Sequence, residues 1–223
     1  MIAVLARPRV YRPQPDGELS PGGLGVEVAL ALGSAGVPVE LVGSIGDDPE
    51  GDRVVVELGR AGVGHAALLR DPATRTPRLG DEDPSRSLPR LDAADVELGL
   101  RYVTDCRVLV VAEDLEDASR ERALQTAEYH GAAVVVIASP GSVDPAALPE
   151  DVTLLERPSL AMVEEDAEGG EADVPPDARG VAAQEAAFAR FVADYARLLG
   201  EGATPATAFQ DALERGAWEA SPG

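Results

Sequence analysis

Three glycines stand just ahead of an apolar helical repeat in the stretch PGGLGVEVALALGSA, residues 21–35. Glycines at a helix start leave the backbone N–H groups of its positive end open to phosphate, carboxylate or hydroxyl oxygens. Glu27 adds a carboxylate inside the same stretch, and Asp47 and Asp48 add two more ahead of the next helical pattern. Gly22, Gly23, Gly25, Glu27 and Asp47 therefore form the candidate substrate-binding set. Each carboxylate also has a plainer reading. Asp47 and Asp48 suit the cap and positive end of the following helix, and Glu27 suits a solvated helix face. The glycines are not a dinucleotide fingerprint. The first apolar run ends near Ala6, too far upstream for a strand-to-helix turn at Gly22.

Other chemistry is narrowed by what the chain lacks. It has no Lys and no Asn, so its 19 basic residues other than His are all Arg. That excludes a Schiff-base lysine, a P-loop lysine and Asn-linked glycosylation. Cys106 is the sole cysteine, so no internal disulfide or thiolate cluster forms. It lies at the start of a buried run and reads as structural. His65 and His130 are the only histidines and read as packing or surface residues, with no multi-histidine metal site. No Gly-x-Ser-x-Gly elbow is present, which argues against a serine hydrolase. The acidic stretch from Glu164 to Arg179 does not match the ligand spacing of a calcium loop.

The elements that must position these groups alternate in type. Ile2–Ala6 reads as a buried strand, 22–35 as a helix stopped by Gly36, and Val39–Ser44 as a second strand. A helix follows over 50–60, then a short strand at Ala66–Leu69 and a helix over 92–102. RVLVVA, residues 107–112, and AVVVIA, residues 133–138, are strong buried strands separated by a helix over 119–129. A weaker strand covers 151–155. Strands alternating with helices imply parallel pairing with helices on both faces, and near-continuous valine runs fit strands covered on both sides. Phe188, Phe191, Val192, Tyr195 and Leu198 recur at helical spacing as one apolar stripe. Thr204 and Pro205 fit an N-cap and first position for a final helix. Residues 71–90, with four prolines, read as a loop or very short ribbon, and 164–179 as an acidic flexible loop.

The stretch from Pro21 to Val63 resembles the PfkB (ribokinase-like) carbohydrate kinase family. The residues that carry the likeness are Gly22-Gly23, the run Gly43-Ser44-Ile45-Gly46-Asp47-Asp48, then Gly51 and Gly62-Val63. A weaker likeness continues through the strands near Arg107 and Ala133, and returns in AAFARFVADYARLLGEGATP, residues 186–205. The resemblance implies a three-layer α/β/α fold with a mainly parallel central sheet, lid strands reduced or absent, and C-terminal helices. It implies a single domain over 1–223, with ATP and Mg²⁺ as cofactors and a sugar as substrate if the chain is active.

Four departures bear on activity. Glu27 stands where the family carries an Asn for sugar hydroxyls. ARPRVYRP, residues 6–13, offers no Asp to grip the sugar. Glu156 and Arg157 fall near the Asn of the nucleotide-side Asn-x-x-Glu pattern. The family's Gly-Ala-Gly-Asp motif aligns with Ala186-Ala187-Phe188-Ala189, so Ala189 stands at the catalytic Asp position. Phosphoryl transfer depends on positioning, charge stabilisation and a base for the attacking hydroxyl. Losing the base costs about 10²- to 10⁴-fold, and losing the anion hole about 10²- to 10³-fold. The expectation is a shortened pseudokinase with no catalytic residues, no cofactor and no metal, which binds a small polar ligand, a sugar or a protein partner, itself included as a homodimer. The alternative is an active ATP-dependent sugar or nucleoside kinase.

The net charge of −21 argues against nucleic acid and anionic membrane as partners. No apolar run approaches a membrane span and MIAVLARPRVYRP lacks a cleavage signal. A cytoplasmic, acidic protein is expected.

Overall fold

A computed structural model describes residues 1–12, 17–79, 88–158 and 176–216. Six parallel strands form the central sheet: β1 (Ile2–Ala6), β4 (Val39–Gly46), β5 (Leu68–Asp71), β6 (Val108–Val111), β7 (Ala133–Ala138) and β8 (Val152–Glu156). Their order is β5-β4-β1-β6-β7-β8. A separate antiparallel ribbon joins β2 (Arg9–Tyr11) to β3 (Ser20–Gly22). The helices are α1 (Leu24–Ser34), α2 (Pro49–Arg60), α3 (Ala93–Leu100), α4 (Asp117–His130), α5 (Pro176–Gly200) and α6 (Pro205–Gly216).

Side-chain alternation along β1 divides the core into two layers. Ile2, Val4 and Ala6 face α1, α5 and α6, while Ala3 and Leu5 face the α3–α4 side. All five β1 residues are buried, as the sequence of a strand covered on both faces requires. The last two helices pack on the first layer through an aromatic cluster. Phe191 meets Phe209 edge-on at 5.3 Å and stacks near Tyr195 at 6.3 Å.

Local signals set the helix ends. Asp48 caps α2, with Pro49 at its first position. Asp92 and Asp95 form a reciprocal capping box at α3. Gly36 (φ +71°) lies just beyond α1, and Gly131 (φ +64°) ends α4 in the left-handed conformation that a side chain disfavours.

Besides shifts of one or two residues at other element ends, three features depart from the sequence reading. β5 lies at Leu68–Asp71 rather than Ala66–Leu69. It is an edge strand, only partly buried, so its apolar content marks it poorly. The 7–20 stretch keeps a ribbon of three-residue strands, and Val10 also bridges Arg78, so the reduced lid retains a folded remnant. Helix α5 begins at Pro176, inside the stretch read as an acidic loop to Arg179. The remainder of that stretch, 164–175, lies outside the described residues, as do 80–87 of the proline-rich segment. Among the described residues no helix is long and apolar enough to cross a membrane.

Candidate functional site

In an open parallel sheet, ligands bind beyond the carboxyl ends of the strands where the strand order reverses. Here that point lies between β1 and β6, because the chain runs outward from β1 to β4 and β5, then returns to β6. Arg7, directly after β1, meets Glu113, just past the end of β6. Arg7 Nη1 lies 3.0 Å from Glu113 Oε1, and the Arg7 amide donates to Glu113 Oε2 at 3.1 Å. Arg7 Nε donates to the Pro89 carbonyl at 3.0 Å. Both side chains are mostly buried, so the switch point is closed by an ion pair.

The glycine-rich start of α1 lies beside it. Gly23, at the N-cap, has φ +97°, and no side chain caps the helix. Gly22 sits under Tyr11, whose Cδ1 would stand 2.6 Å from an added Cβ. Gly25 has a packing role: an added Cβ would meet Ala6 Cβ at 2.4 Å and Ala112 Cβ at 3.1 Å. Its lack of a side chain lets α1 lie close on the sheet beside the switch point. Glu27 is half-buried in the first turn. Burial raises its carboxyl pKa above the usual range, the like charge of Glu185 on α5 adds to this, and Arg190 partly opposes both.

Asp47 is drawn to the other side. Arg70 holds its carboxylate at 3.4 Å and also reaches Asp52 at 2.7 Å. Among the described contacts none joins Asp47 to Glu27, so the five candidates divide into an α1 group and an outlying Asp47. Asp48 is structural. It accepts from the Gly51 amide, the Thr76 amide and Thr76 Oγ1, each at 2.8 Å. Thr76 Oγ1 in turn accepts from the Gly46 amide at 3.1 Å. Burial raises the Asp48 carboxyl, but these three hydrogen bonds and the charge of Arg75 outweigh it and hold the group below the ordinary range.

Beyond β7 and β8 lies a second polar group. Ser139 Oγ donates to Asp114 Oδ2 at 3.1 Å, Arg157 approaches the same oxygen at 3.8 Å, and the Gly141 amide donates to Glu156 at 3.2 Å. Arg157 Nε is buried with no hydrogen-bond partner among the described residues. Sequence reasoning placed Glu156 and Arg157 here but missed Arg7, Glu113, Asp114 and Ser139. The available signal was position: each lies within three residues of the end of a strongly apolar strand, where a parallel sheet displays its ligand-facing residues.

The segment Ala186–Ala189 lies within α5, far from its first turn. Phe188 is 3% exposed and Ala189 1% exposed. Phe188 stacks with Phe191 at 6.3 Å and joins the core against the sheet. Interior helix N–H groups are committed to carbonyls four residues back, so they are not free to receive an anion. Cys106 is buried and donates to the Val108 carbonyl at 3.4 Å, with burial pushing its thiol pKa up. Among the described residues no group of three or more His, Cys, Asp or Glu side chains is placed to hold a metal ion.

The family model for pfkB family carbohydrate kinases matches residues 4–166. No match was found among curated proteins. The fold is similar to that of a PfkB protein from Polaromonas sp. JS666, with 14% identity, TM-score 0.60 and coverage of 97% of this chain and 94% of that one. It is also similar to a putative ribokinase II from E. coli in complex with ATP and Mg²⁺. That match has 17% identity and TM-score 0.58, and covers 97% of this chain and 91% of the other. Against an uncharacterized sugar kinase from Pyrococcus horikoshii the match covers 61% of this chain, at 16% identity and TM-score 0.47. The chain spans only about half of that protein's length, 54%.

Proposed function

The chain belongs to the pfkB family of carbohydrate kinases, and we propose that it is a pseudokinase: a member that no longer transfers phosphate and binds a small polar ligand at its strand ends. The observation that carries this reading is the course of α5. Where the family motif aligns, the chain offers Phe188 and Ala189 buried in a continuous helix. A base must accept a proton from the attacking hydroxyl, and an alanine has no group that can. An anion hole needs unpaired N–H donors aimed at developing charge, and interior helical amides are already paired.

The ligand class follows from the charges around α1. The N–H groups of its first turn can donate to hydroxyl oxygens, and Glu27 can accept from them. Glu27 and the nearby Glu185 disfavour a phosphate there. A sugar or other polyol fits this set better than a nucleotide, and no cofactor or metal is required. We read the chain as one ribokinase-like unit whose lid is reduced to the β2–β3 ribbon.

Isothermal calorimetry with Mg²⁺–ATP tests the reading, together with a phosphotransfer assay over a panel of sugars, polyols and nucleosides. We expect no saturable ATP binding tighter than the millimolar range, about −4 kcal/mol, and no phosphorylated product. Micromolar ATP binding, or ATP-dependent phosphorylation of any panel member, overturns it in favour of a working kinase.

A further inference from the structure

The crossovers of the sheet differ in one respect. The links from β1 to β4, β4 to β5, β5 to β6 and β6 to β7 each carry a helix, whereas the link from β7 to β8 carries only a short 3-10 turn at Pro145–Ala147. Parallel strands are normally covered by helices on both faces. On the α4 side of β8 the place of a helix is taken by a groove of about 730 Å³, between α4 and this crossover. Leu124, Val134 and Val152 line it with apolar surface. Glu121, Glu128, Asp144 and Asp151 line it as well, and all four are exposed. Among the described residues Arg120 is the one cation in the lining, and it is held by Asp117 and the Leu115 carbonyl.

We propose that this groove docks an amphipathic helix of a partner protein, one with an apolar stripe flanked by Arg or Lys. The volume suits a helix. A cylinder about 10 Å across fills it over roughly six residues, and a helix laid beside α4 completes the layer that the crossover leaves open. The charge selects the occupant. A second copy of this chain, at net −21, would bring a like-charged surface to an acidic rim. The chain's own residues 159–175 contain six carboxylates and no Arg, so they meet the same repulsion. A basic helix has the complementary pattern, with apolar residues for the floor and cations for the rim. The groove lies on the α4 face of the sheet and none of Gly22, Gly23, Gly25 or Glu27 lines it, so the outcome here is independent of the pseudokinase reading.

Amide shift mapping on ¹⁵N-labelled protein tests the proposal. The probe is a helical peptide of about 18 residues with leucines at i, i+3, i+4 and i+7 spacing and lysines between them. We expect saturable shifts confined to α4, β8 and the crossover, weakened by added salt. Glu128→Lys with Asp151→Lys should reduce affinity about tenfold while leaving the melting temperature near that of the parent, because both side chains are exposed. The proposal is overturned by an absence of shifts at millimolar peptide or by shifts centred on another face. Equal binding of a scrambled peptide of the same composition, or affinity unchanged by the charge reversals, also overturns it. Self-association in sedimentation that Val152→Glu abolishes would assign the groove to a second copy instead.

Discussion

Arg7 and Glu113 lie 106 positions apart in the chain yet meet at 3.0 Å just past the carboxyl ends of the paired strands β1 and β6. The carboxylate receives both the guanidinium and the backbone amide of the same residue. Glu113→Ala strands a largely buried arginine with the Pro89 carbonyl as its remaining partner. We expect a loss of about 2 kcal/mol in urea denaturation, below the range for a fully buried pair because both side chains keep some solvent contact. Arg7→Met combined with Glu113→Leu should cost less than the two single changes added together. Strict additivity would show that the two side chains do not interact.

Phe188 discriminates between the two histories of α5. Phe188→Ala should cost about 3–5 kcal/mol through lost burial and a cavity, read as a lower denaturation midpoint. A cost near zero would place Phe188 at a cleft rim. The variant carrying Ala186→Gly, Phe188→Gly and Ala189→Asp restores the family motif. It should lose more than Phe188→Ala alone, because it also puts an unpaired carboxylate into the core and adds glycine to a helix interior at about 1 kcal/mol each. Sugar phosphorylation by that variant would show that the α5 motif is the one lesion and that the other departures from the family pattern leave the site competent.

Asp48 joins α2 to the segment around Thr76. Its folded pKa lies below its unfolded value, so the stability it contributes is present above the ordinary aspartate range, near about 3.9. That stability is lost as pH falls through the lowered folded pKa. Asp48→Asn should therefore cost about 1 kcal/mol at neutral pH, and the two proteins should converge in acid. Thr76→Val, which removes the hydroxyl between Asp48 and the Gly46 amide, should shrink the effect of Asp48→Asn. Unfolding curves measured from pH 7 to pH 2 decide this.

Glu27 has the opposite sign. Its folded pKa is raised by burial and by Glu185, so ionisation works against folding at neutral pH. Glu27→Gln should raise the melting temperature at pH 7. The gain should fade as pH falls through the raised folded pKa to the ordinary glutamate range. A gain that persists at pH 3 would trace to packing rather than charge.

Much of the sheet is readable from composition, because residues 108–112 and 133–138 are continuous apolar runs that suit a doubly covered strand. The Asp48-Pro49 pair marks the start of α2 for the same local reason. Less legible is whatever depends on distant partners. The ribbon of Arg9–Tyr11 with Ser20–Gly22 consists of three-residue strands whose pairing no local pattern announces. Gly25 reads as a donor to ligand, yet its close contacts are Ala6 and Ala112, the second of them far along the chain. Arg7 and Glu113 look unremarkable in their own neighbourhoods, and only the adjacency of β1 and β6 brings them together. The early start of α5 escaped notice because Pro176–Arg179 adjoins an acidic run whose composition dominates any reading of the region.

The strand order also predicts a sequence of assembly. Ile2 pairs with Val39 on one side and with Val108 on the other. Closing the second loop, nearly three times longer, costs about 1 kcal/mol more chain entropy. The β1–β4–β5 half therefore forms from nearer contacts, and the β6–β7–β8 half joins it across a seam at β1. Arg7 and Glu113 sit on that seam, so both remain hydrated until the halves dock. An interaction made after the rate-limiting barrier slows unfolding without speeding folding. In a chevron plot, Glu113→Gln should steepen the loss of the native state by raising the unfolding limb while the refolding limb stays in place. The ion pair then governs how long the folded molecule persists rather than how quickly it is reached.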